Sequence, residues 1–98
     1  MKIDFEYEVS ELTGELKAAD GYLECEAIVL ANIKKHIDKN ISIIFIEGYT
    51  KRVHKYFEDK AVINKGNTDC INYQYAAGFL NTIIATPYWH SWIKTTDY

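Results

Sequence analysis

"KIDFEYEV", residues 2–9, decides how the rest of the chain is read. Ile3, Phe5, Tyr7 and Val9 alternate with Lys2, Asp4, Glu6 and Glu8, the period-2 signature of a strand with one face on a core and the other in water. The expectation is an opening strand from Lys2 to Val9 whose outer face is almost purely acidic. A strand needs partners, so this reading commits the chain to a sheet.

Working outward, Thr13-Gly14 interrupts the next segment, and Asp20-Gly21 reads either as a hairpin turn or as the start of a helix. The helix start is preferred because Tyr22, Leu23, Val29, Leu30, Ile33 and Ile37 fall within an arc of about 120° at helical spacing. Lys34, Lys35 and His36 then occupy the final turn, where positive charge suits the helix dipole, and the helix should end near Asp38. The run Ile41 to Ile46 is β-branched and apolar on both faces, which suggests a central strand covered on each side or placed at a partner surface.

Thr50 reads as the cap of a short helix with Val53, Tyr56 and Phe57 on one side. Ala61 to Ile63 and Cys70 to Tyr75 read as a strand pair around a turn at Lys65-Gly66-Asn67. From Ala76 the spacing of Phe79, Leu80, Ile83 and Ile84 is helical, and Thr86-Pro87 opens a last helix over 87–94. The expected fold is α+β: a small mixed β-sheet of three to five strands packed against three or four helices, in one domain.

A chain of 98 residues, 48% hydrophobic and 26% charged, has the composition of a globular domain and not of a disordered or fibrous segment. Its longest apolar runs, 27–31 and 43–46, are far below the ~20 residues that cross a bilayer, and the opening segment lacks the pattern of a signal peptide. A cytoplasmic protein without a membrane partner is expected. Cys25 and Cys70 have no metal-ligand spacing and read as free buried thiols.

No glycine-rich phosphate loop, HExxH, CxxC or GxSxG pattern occurs, and His36, His54 and His90 have no ligand at metal spacing. No catalytic residue, metal or cofactor is expected. The weak candidates for a small enzyme or ligand site are Glu26, which interrupts the apolar arc of its helix, Glu47 before the flexible Gly48, His54 and His90. Lys51, Arg52 and Lys55 form a basic patch that Glu58 and Asp59 offset, and the aromatics do not interleave with it as a nucleic-acid surface requires.

Charge is asymmetric: residues 1–26 hold eight acids against Lys2 and Lys17, while the chain from Thr50 onward is mildly basic. An acidic surface of this kind repels a nucleic-acid backbone and suits a basic protein. The leading expectation is a non-enzymatic binding protein that neutralises a partner with a basic surface, such as a nuclease or other nucleic-acid enzyme, in the manner of an immunity protein or a phage-encoded inhibitor. Asp4, Glu6, Glu8, Glu11 and Glu15 would supply the complementarity. Trp89 and Trp92 share one face of the last helix with Tyr88 and Ile93, and that face is either the lid of the core or an interface anchor. The remaining alternative is an oligomeric structural component joined through the Trp89/Trp92 face.

Overall fold

The computed structural model describes residues 3–95, and every regular element among them is a helix. They are α1 (Phe5–Ala18), α2 (Tyr22–Asp38), α3 (Ile43–Ile63), α4 (Asp69–Ala85) and the short α5 (Trp89–Thr95). The α+β expectation is therefore corrected to an all-α bundle: no strand and no sheet occur among the described residues.

The opening segment is the decisive correction. Its alternation ends at Val9, whereas Phe5, Val9, Leu12 and Leu16 continue at helical spacing, and the last three are buried. Asp4 caps the helix by accepting a hydrogen bond from the Tyr7 N–H at 3.2 Å, so it serves as an N-cap instead of joining a strand face. Lys2 lies outside the described residues. Gly14 sits inside α1, because one glycine in a helix costs only about 1 kcal/mol relative to alanine and the buried stripe outweighs it.

The other strands yield for the same reason. Residues 41–46 lead into α3, whose buried stripe runs Ile46, Tyr49, Val53, Phe57, Ala61. Ala61 to Ile63 is the last turn of that helix. Thr50 is interior to it and donates its Oγ1–H to the Ile46 carbonyl at 2.7 Å. Residues 70–75 are the first turns of α4, with Cys70, Tyr73, Ala76 and Leu80 inward while Ile71 and Tyr75 face water. The turn at 65–67 is present, and Gly66 takes the positive φ of 93° that it requires. The helix α2, Tyr22–Asp38, matches its expected bounds, with Gly21 as N-cap at φ 89°.

α3 and α4 form the most extensive pairing, joined at a stacked Phe57–Tyr73 contact with ring centroids 5.8 Å apart. α1 and α2 make an antiparallel hairpin on this pair, and α5 closes the core with Trp89 and Ile93. The end of α1 is tied to α4: Asn72 Nδ2 donates to the Leu16 and Ala19 carbonyls at 2.8 and 3.1 Å, satisfying acceptors that a helix end leaves open. Cys25 and Cys70 are buried free thiols. No helix among the described residues is long and apolar enough to cross a bilayer.

Candidate functional site

The helical form of the opening segment redistributes its acids. With Glu8 as zero on the α1 wheel, Glu11 and Glu15 lie within about 60° of it, whereas Glu6 lies about 160° away, beside Lys17. The single acidic face expected of a strand is thus divided between two flanks of a helix.

Glu8 is withdrawn into the molecule. It is 4% exposed, and its Oε1 lies 2.7 Å from Lys35 Nζ and 2.7 Å from His36 Nε2. The His36 contact has ion-pair distance without hydrogen-bond alignment, and its Nδ1 has no partner. Asn32 Nδ2 approaches the same Oε1 at 3.4 Å, and Tyr49 donates its hydroxyl to Asn32 Oδ1, which carries the network from α1 through α2 to α3. Burial raises the Glu8 pKa, but the hydrogen bond and charge of Lys35 together with His36 outweigh it and hold the carboxyl below its ordinary value. Burial pushes His36 down despite the neighbouring carboxylate, and pushes the Tyr49 hydroxyl up, so Tyr49 remains a donor. This cluster is an internal tie between the start of α1 and the last turn of α2.

Glu11 and Glu15 are exposed and have no ion-pair partner among the described residues. At the turn that follows α1, Asp20 and Glu24 are also exposed, and the Asp20 N–H donates to Glu24 Oε2 at 2.8 Å. The other end of the hairpin carries Lys34, Lys35 and Lys39. The α1–α2 turn is thus acidic, while the open end mixes these lysines with the exposed Asp4, Glu6 and Asp38.

At the open end lies an apolar cleft of about 530 Å³, lined by Ile3 and Phe5 and by Ile44, Phe45, Tyr49 and Arg52 of α3. Ile43, Ile44 and Phe45 are 55%, 76% and 60% exposed, so the run that is apolar on both faces marks an open surface and not a buried strand. The Arg52 guanidinium stands 4.0 Å over the Phe5 ring. A hollow of about 290 Å³ adjoins the cleft at Ile3 and includes Glu8, Lys35, His36 and Lys39. The sequence reading missed the cleft because the strand assignment hid it; the signal was the excess of apolar residues in 43–46 beyond what one helical stripe uses.

The aromatic residues separate. Trp89 is 7% exposed and belongs to the core, whereas Trp92, one turn later, is 45% exposed. Glu47 and His90 come together, with Nε2 and Oε1 3.3 Å apart, beside a hollow of about 170 Å³ that Lys51 also lines. That volume is about half the smallest typical ligand site, and the pair fixes α5 to α3 next to the Trp89–His90 ring contact. His54 pairs with Glu58 at 3.6 Å along its own helix, and Glu26 accepts from Tyr22, so neither joins Glu47 and His90. Among the described residues no three His, Cys, Asp or Glu side chains converge as metal ligands.

These features define a small helical bundle with exposed acids around the α1–α2 turn and an apolar cleft at the other end of that hairpin. In comparison with known proteins, no family model, curated protein or solved structure matches the chain.

Proposed function

We propose that this chain is a non-enzymatic binding protein that occupies a basic surface on another protein. Glu11 and Glu15 on α1, with Asp20 and Glu24 at the turn, make the approach. The observation that supports this reading is the exposure of Glu11 and Glu15 without a neutralising partner among the described residues, directly beyond a Glu8 that is neutralised. Lys17, the lysine nearest to them in α1, lies on the opposite flank. Unpaired carboxylates grouped on one flank steer a positive partner and repel a polyanion. A cleft that holds a nucleic-acid backbone is a basic surface of this kind, and filling it would inhibit a nucleic-acid enzyme.

The test is partner recovery from cell extract on the immobilised chain at low salt, comparing wild type with the double variant Glu11→Lys/Glu15→Lys and with Glu6→Lys. All three positions are exposed, so helical circular dichroism should be unchanged. The expected result is a captured protein of basic isoelectric point, released by salt, held by Glu6→Lys and reduced at least about tenfold by the double variant. Undiminished capture by the double variant would overturn the reading.

A further inference from the structure

We infer that the contact of His36 with Glu8 is an acid-opened joint: protonation of the imidazole parts the start of α1 from the last turn of α2, while the rest of the bundle stays closed. The joint would open in acid with or without a basic partner.

The geometry leaves no place for a second proton on His36. A neutral imidazole carries one proton, and Nε2, 2.7 Å from Glu8 Oε1, is the atom that must hold it, since a lone pair there would oppose the carboxylate. A second proton therefore goes to Nδ1. That atom is shut off from solvent and has no hydrogen-bond partner among the described residues. Charging it would create a buried N–H with nothing to accept it, which costs the hydration that the group would have in water. Water reaches it only if α1 moves.

The surrounding charges do not compensate. From α1, Glu8 is 4% exposed but already shares the same oxygen with Lys35 Nζ at 2.7 Å, so the pair is neutral before His36 is charged. Asp4 and Tyr7 line the hollow beside His36 and are both exposed, so water screens the Asp4 carboxylate. From α2 itself, Lys35 and Lys39 add positive charge. From α3, Tyr49 presents its ring at 4.9 Å and 71°, and its hydroxyl is taken by Asn32. A protonated His36 thus turns a neutral buried cluster into a positive one. The His36 pKa accordingly lies below the ordinary value, led by burial, with Glu8 opposing and Lys35 and Lys39 adding to it.

Opening is confined by what holds the rest of α1. Leu12 and Leu16 belong to the core, and Asn72 of α4 binds the Leu16 and Ala19 carbonyls. None of these groups titrates. The turns from Asp4 to Val9 have a weaker hold, with Val9 buried but Ile3 and Phe5 only partly so.

The open joint takes up a proton near the ordinary pH of about 6.5 and the closed joint below it, so closure is complete above about pH 6.5 and is lost as pH falls towards the folded pKa. Hydrogen exchange followed by NMR, with rates corrected for their intrinsic dependence on pH, reads this between pH 7 and pH 5, where Glu8 stays largely ionised. Protection of the amides from Glu8 to Ser10 should fall by up to about tenfold per pH unit below 6.5. At pH 5 it should stand at least about tenfold below that of the amides around Leu80 in α4, the mark of local opening. His36→Phe keeps a ring against Tyr49 and cannot be charged, so its α1 protection should be flat over the same range. The His36 ring resonances of the unaltered chain give a second reading, with a midpoint expected below about 6.5. Unchanged protection in the wild type, a fall that persists in His36→Phe, equal protection in α1 and α4 at pH 5, or a His36 midpoint at or above about 6.5 would overturn the inference.

Discussion

Glu8 takes a role that depends wholly on the geometry of its backbone. On a strand it would share a wet face with Asp4 and Glu6; on a helix it turns inward beside Leu12 and meets Lys35 and His36. Its carboxyl pKa lies below the ordinary value, so the stability it contributes is present above about pH 4.3 and is lost as pH falls through its folded pKa. The His36 pKa is also depressed, and the fold binds its neutral form, so acidification below about pH 6.5 works against folding at this position too. Glu8→Gln should lower stability at pH 7 by about 1–3 kcal/mol, towards the smaller figure because water screens the half-exposed Lys35. Urea unfolding at pH 7 and pH 3.5 should show the gap between wild type and variant narrowing in acid. A gap that stays constant would mean the charge of Glu8 contributes nothing.

α1 as an element carries the clearest check on the fold. Gly14 is an exposed interior position whose Cβ would meet nothing within 4 Å, so Gly14→Ala should raise stability by about 0.5–1 kcal/mol and shift the urea midpoint upward. A downward shift would show that 13–14 forms a turn. Legibility in the sequence varied by element for the same reason. α2 could be read because its apolar arc runs over four turns from Tyr22 to Ile37, with cations at the end. α1 could not, since eight residues of alternation satisfy a strand while only Leu12 and Leu16, beyond the window, continue the helical stripe. In 41–46 and 70–75, β-branched and aromatic residues argued for strands, but tertiary packing of Ile46, Tyr49, Cys70 and Tyr73 overrode that weak preference. Of the candidate site, the exposed Glu11 and Glu15 were legible. The cleft was not, because its walls come from separate segments, Ile3 and Phe5 against Ile44 to Arg52.

At the level of the whole molecule, one core joins all five helices, and α5 is the piece that completes it. Trp89→Ala should cost about 3–5 kcal/mol, the usual range for emptying a large aromatic site, and Trp92→Ala markedly less. Chemical unfolding followed by helical circular dichroism checks both; equal losses would contradict the division of the two tryptophans into core and surface. The Asn72 bonds have a consequence for the order in which the molecule matures. They link positions 56 and 53 residues apart, so as the chain emerges from a ribosome the tip bearing Leu23 exists long before the amide that finishes it. The tip reaches its final geometry only after α4 has been made.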